Sequence, residues 1–169
     1  TVIKYTADMV NVKYNNELST ESAESTTDWN IYIDTDSVFF SAVPLMDSRH
    51  PDWKTRTDAE IASIVDGIAG EVQDYLNEFY DVLSDNLFNI KKNRFKIKKE
   101  YVAKSGFWVA KKRYAQWIIS NNGLAVDKLD VKGLDVRRSS FAKEFSKIMS
   151  SVLIDILKGK TEAEITDSI

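Results

Sequence analysis

An α+β fold, with an antiparallel sheet packed on long helices and a helical segment at the end, is what the sequence predicts, and three observations predict it. Only 2 prolines and 6 glycines occur in 169 residues, so regular elements can run long. One apolar stripe recurs at three- and four-residue spacing from Ile61 to Leu83, the period of a single helix face. Elsewhere the β-rich stretches are short and punctuated by Asp, Asn and Gly, as strands joined by tight turns are.

The elements follow in chain order. Val2, Ile3, Met9, Val10 and Val12 fall at helical spacing, which predicts a helix from Thr1 to about Leu18. Ser19–Asp28 is small and polar and reads as a loop. Trp29–Ser41 reads as strand, tight turn, strand, with Asp34-Thr35-Asp36 in the turn. After a loop at Asp47–Thr55, Thr57-Asp58-Ala59-Glu60 is a capping box that opens a helix of about seven turns. Ile61, Ile64, Ile68, Val72, Tyr75, Leu76, Phe79 and Leu83 form its apolar stripe. Strands are expected at Arg94–Val102 and Phe107–Ser120, joined near Ser105-Gly106, with a turn at Asn121-Asn122-Gly123. Val131–Ser139 reads as a linker, and a helix from Ser140 carries Phe141, Phe145, Ile148, Val152 and Ile156. Thr161-Glu162-Ala163-Glu164 is a second capping box with five residues after it. That late start, and a first helix with no cap before it, lead us to expect a piece of something longer.

Composition removes several classes of chemistry. There is no cysteine and one histidine, His50, which excludes disulfides, zinc–thiolate sites and histidine clusters. No apolar run approaches the roughly 20 residues of a membrane span, and a cytoplasmic protein is expected. The net charge of −3 hides an asymmetry: residues 1–90 carry 5 basic and 17 acidic side chains, residues 91–113 carry 10 and 1, and residues 114–169 carry 8 of each. A block of +9 on so short a stretch points to a polyanionic partner.

Three motifs carry possible chemistry. Asp34 and Asp36, two apart on a turn between apolar strands, crowd like charges, which a hard divalent cation such as Mg²⁺ would relieve. An Asp-rich turn also forms for local hydrogen-bonding reasons alone. Lys111-Lys112-Arg113-Tyr114 lies in a predicted strand with Phe107 and Trp108, where lysines reach phosphates and an aromatic can pack on a sugar. Lys132-Gly133-Leu134-Asp135-Val136-Arg137-Arg138-Ser139-Ser140 places two arginines at a helix entry, where guanidinium groups and free amides can hold phosphate. Taken singly, the second and third also fit a solvated strand face and a linker.

In this order the motifs closely resemble the carboxy-terminal half of a family B (polymerase alpha-like) DNA polymerase, of viral or phage type. Tyr32–Ser37 is similar to the family's YGDTDS palm motif, with Ile33 where glycine is usual. The resemblance implies that Asp36 is the metal-bridging carboxylate and Asp34 a weaker one, with Glu100 as an extra acid near the metals. Lys112 and Tyr114 match the KxY element, which tracks the minor groove near the primer end, with Lys111 and Arg113 beside them. Lys132–Arg138 matches the KGxDxxRR element at the palm–thumb junction, with Arg137 and Arg138 toward primer phosphates. The resemblance implies palm over residues 1–130 and the junction and first thumb helices over 131–169. It also implies two Mg²⁺ ions, primer–template DNA and a deoxynucleoside triphosphate as partners, and residence in the host cytoplasm if viral.

The family's DxxSLYPS and KxxxNSxYG motifs are absent, as are exonuclease acids, so the chain is expected to be inactive alone. The remainder of the polymerase, in the same or another chain, would supply them. A non-catalytic nucleic-acid-binding module and, more remotely, a nucleotide-sugar transferase using its DTD are the alternatives.

Overall fold

The computed structural model describes residues 2–18, 27–134 and 143–167, which pack as two units, Thr1–Glu100 and Tyr101–Ile169. The fold is α+β. The described strands form two antiparallel sheets, one in each unit.

The first unit begins with helix α1 (Val2–Leu18), followed by the hairpin of β1 (Asn30–Asp34) and β2 (Ser37–Phe40). Helix α2 (Val43–Arg49), a single 3₁₀ turn and the 31-residue helix α3 (Asp58–Phe88) complete it. The predicted capping box at Thr57 forms: the Glu60 carboxylate accepts the Thr57 N–H at 2.9 Å, and Thr57 Oγ1 accepts the Glu60 N–H. The helix runs to Phe88 and closes on Asn89 in the left-handed conformation, φ 51°.

Four-residue spacing brings Ile68, Val72 and Leu76 of α3 into one core with Val10 and Tyr14 of α1 and Leu45 and Met46 of α2. Val38 and Phe40 of β2 pack against the same core, so the hairpin is backed by it. Burying each such side chain contributes roughly 1.5–3 kcal/mol. Polar ties fix the register. The buried hydroxyls of Thr6 and Tyr80 meet at 2.7 Å; Thr6 donates its own proton to the Val2 carbonyl, so Tyr80 donates to Thr6. The Tyr14 hydroxyl donates to the Ser41 carbonyl at 2.7 Å, and burial pushes that phenol above its ordinary range. Asn30 anchors β1 on α1, its amide donating to the Ala7 carbonyl at 3.0 Å.

Arg49 links all three helices, donating from Nε to Glu17 and from both terminal nitrogens to Glu71, at 3.1 and 2.8 Å. These bonds hold the Glu71 carboxyl below its usual value of 4.5. A depressed carboxyl contributes stability above its unfolded pKa and loses it as pH falls through the folded value. Arg49→Ala should therefore narrow the gap between urea midpoints measured at pH 6 and near pH 3.5. An unchanged gap would mean that the fork does not stabilise the fold.

The predicted strand at Arg94–Val102 is corrected. Residues 94–100 have no strand partner; they run along α3, bonded to its side chains. Asn77 donates to the Ile97 carbonyl at 3.1 Å and accepts the Ile97 N–H at 3.0 Å, while Gln73 accepts the Lys99 N–H at 3.0 Å. Asn93, itself donating to Asp81, brackets Phe95 through both its N–H and its carbonyl. Gln73, Asn77 and Asp81 stand four apart, about 6 Å of helix rise, close to two residues of extended chain. A ladder of side chains replaces the sheet ladder.

In the second unit, β3 (Tyr101–Ala110), β4 (Arg113–Asn121) and β5 (Leu124–Lys132) form a meander with β4 at its centre. Ala115 to Ser120 of β4 are buried on both faces. Helix α4 (Lys143–Leu157) lies against β4, and α5 (Glu162–Thr166) starts on the expected Thr161 capping box. Lys158 Nζ sits 4.3 Å above the Trp117 ring, and Ser105 Oγ donates to the Leu157 carbonyl.

Several expectations change here. The predicted strand Phe107–Ser120 is two strands. The predicted break at Ser105-Gly106 lies inside β3, where a Cβ on Gly106 would come within 2.8 Å of the Trp108 ring. The segment after Asn122-Gly123 is a full strand, β5, which takes in Val131 and Lys132 of the predicted linker. On α4, Leu153 and Leu157 are buried, whereas Phe145, Ile148 and Ile156 of the predicted stripe are exposed; Phe141 lies outside the described residues. Among the described residues no helix is long and apolar enough to cross a membrane.

Candidate nucleic-acid interface and metal site

The DTD turn forms as predicted. Asp34 and Ser37 close the hairpin, leaving Thr35 and Asp36 as its central pair. Neither central residue has positive φ, so this is not the primed turn that two-residue hairpins favour. Asp34 supports it locally, its Oδ1 accepting the Thr35 N–H at 2.8 Å and the Thr35 hydroxyl at 3.2 Å. Asp34 is half-buried and Asp36 is exposed at the tip. Behind them Tyr32 and Phe39 pack with ring centroids 5.8 Å apart.

These carboxylates offer the hard oxygen donors that Mg²⁺ prefers. Among the described residues no three His, Asp or Glu side chains gather as a metal cluster, so Asp34 and Asp36 fit one arm of such a site. Glu100, exposed at the end of the first unit, is not gathered with them into such a cluster. Its neighbour Lys99 is turned inward onto the Asp66 carboxylate and carbonyl.

In the second unit the sheet joins two motifs that are separate in sequence. Lys111 and Lys112, predicted inside a strand, form the turn between β3 and β4, where Ala110 pairs with Arg113. Lys112 takes the left-handed conformation, φ 60°. Tyr114 is the register partner of both Trp108 on β3 and Lys132 on β5. Its ring stacks on Trp108, centroids 6.3 Å apart and planes at 29°. Gly133 follows at φ 60°, and a Cβ there would lie 2.2 Å from the Lys112 carbonyl oxygen. The backbone of the second motif thus rests on the turn of the first.

Lys111, Lys112 and Arg113 are exposed, and Lys132 Nζ stands 3.9 Å from the Asp130 carboxylate. Asp130 also accepts from buried Gln116 at 3.2 Å. The result is a cationic end of the sheet with an aromatic pair beside it, suited to phosphate and sugar contacts. Arg137 and Arg138 lie outside the described residues. Trp108 and Gly133 belong to the motifs read from the sequence, but their meeting at one end of the sheet exists only in the fold.

An L-residue in the left-handed region costs about 1 kcal/mol or more. Lys112→Gly should leave thermal stability unchanged or raise it by up to about 1 kcal/mol, while weakening retention of primer–template DNA. Loss of stability in this variant would show that the lysine serves the fold.

No protein-family model matches the chain, and no curated protein matches its sequence.

Proposed function

We propose that the chain is the carboxy-terminal palm and the start of the thumb of a family B DNA polymerase, acting in nucleotidyl transfer to a primer 3′-hydroxyl. The observation that carries this reading is the meeting of Lys112, Tyr114, Lys132 and Gly133 at one end of a sheet. Two stretches that resemble motifs of one family, some twenty residues apart in sequence, meet here as a shared DNA contact would require.

Asp36 and Asp34 would hold Mg²⁺, which when bound supplies charge neutralisation for the attacking and leaving oxygens. The chain's own residues bind and orient. Lys111, Lys112 and Arg113 neutralise backbone phosphates, Tyr114 packs on the terminal sugar, and Lys132, Arg137 and Arg138 hold the primer strand. The deoxynucleoside triphosphate and the remaining metal-binding aspartate depend on the rest of the polymerase. The reaction belongs in the cytoplasm, the host's for a viral enzyme.

The second reading, a non-catalytic nucleic-acid-binding module, is favoured by the cationic sheet end beside Trp108 and Tyr114, which would serve binding without any metal. Primer extension and DNA binding by the isolated chain test both. Extension should be absent and binding should weaken steeply with salt. Lys112→Ala should lower the log–log salt slope by about 0.9. Sustained extension by the chain alone, or binding indifferent to salt, would contradict the proposal.

A further inference from the structure

The bonds from α3 to residues 97 and 99, and from Asn93 to Phe95, fix which way the basic segment faces. Ile97 packs against the core and Lys99 binds Asp66, so the alternate positions Arg94, Lys96 and Lys98 point outward, and all three are exposed. Lys91 and Lys92 are exposed just before them. Among the described residues none of these five cations makes an ion pair, although the preceding 90 residues carry 17 carboxylates. Exposed rings adjoin the row: Phe88 at 42 % and Phe95 at 39 %, with centroids 6.1 Å apart.

We propose that Arg94, Lys96 and Lys98, with Phe88 beside them, form a binding rail for single-stranded nucleic acid on the first unit. Alternate residues of an extended chain stand roughly 6.6 Å apart, a spacing suited to successive phosphates of an extended strand. Unneutralised cations in a line with an accessible aromatic face are the two parts of sequence-tolerant single-strand binding. An acidic bilayer also attracts lysines, but an interfacial anchor needs a broad apolar face. Here the exposed apolar side chains from residue 87 to the row are Leu87, Phe88, Ile90 and Phe95, a few side chains rather than a broad face. The inference stands on the first unit alone and does not depend on the polymerase reading.

Fluorescence anisotropy of the full chain with a labelled oligothymidylate, across a salt series, tests it. Arg94→Glu/Lys96→Glu/Lys98→Glu should weaken binding by about tenfold or more and lower the salt slope by about two, for three single-strand contacts. Its circular dichroism should be unchanged, because these side chains bond nothing among the described residues. Phe88→Ala should cost about fivefold on the oligothymidylate and little on a duplex. Wild-type affinity and slope in the triple variant would overturn the proposal. So would sedimentation with phosphatidylserine vesicles in the absence of oligothymidylate binding.

Discussion

Asp36→Ala, made in the complete polymerase to which we propose this chain belongs, should reduce primer extension by at least about 10³-fold while leaving primer–template affinity within about twofold. The asymmetry follows from geometry. Asp36 is exposed at the tip of the β1–β2 turn, and among the described residues its carboxylate makes no side-chain hydrogen bond or ion pair that holds the hairpin together. The turn is supported instead by Asp34, through its bonds to Thr35, and by Val38 and Phe40 in the core. Removal of Asp36 thus deletes the proposed metal donor and spares the scaffold. Asp34→Ala should be milder toward metal and harsher toward the turn, lowering the melting temperature as well as the rate. Single-turnover extension with DNA binding measured in parallel separates the two effects. Retained turnover with lost DNA affinity in Asp36→Ala would contradict the assignment.

Gly133→Ala should have the largest effect on the second unit. An added methyl would stand 2.2 Å from the Lys112 carbonyl oxygen, in a residue already at φ 60°. Backbone cannot yield as a flexible side chain does, and the left-handed conformation adds about 1–2 kcal/mol of its own. Either the β3–β4 turn or the exit from β5 must shift. The expected result is a loss of several kcal/mol in unfolding free energy, or a folded protein whose DNA binding is impaired as much as in Lys112→Ala. Gly123→Ala is the matched control, with φ 80° and open space around its Cβ, and it should cost only the conformational part. Equal stability of the two variants would show that the turn and Gly133 do not depend on each other.

The parts of this fold legible in the sequence are those encoded locally. The Thr57 capping box and the four-residue apolar spacing announce α3, and Asp34-Thr35-Asp36 between apolar runs announces its hairpin. Asn122-Gly123, both at positive φ, is the turn chemistry it resembles. What was hidden depends on partners. Lys111-Lys112 carries no turn signal, and only closure of the β3–β4 pair drives Lys112 to positive φ. Gln73 and Asn77 look like an ordinary solvated helix face until the basic segment lies along them. On α4 the periodicity gives a broad apolar arc, and which part of it meets β4 is set by tertiary packing. The candidate site follows the same rule. Its acids and lysines were named by motif, whereas the stacking of Tyr114 on Trp108 and the seat of Gly133 on the turn exist only in the folded sheet.

The central claim, that this chain holds a primer end, is tested most directly by photo-crosslinking. A primer–template carrying a photoreactive nucleotide at the primer 3′ terminus is bound to the chain at low salt, irradiated, and the adducts are mapped by mass spectrometry. The account predicts adducts concentrated in Lys111–Tyr114, lost in the Tyr114→Ala and Lys112→Ala variants and suppressed by salt. Adducts scattered over the chain, or centred on a segment such as α4 with Lys111–Tyr114 unlabelled, would contradict it.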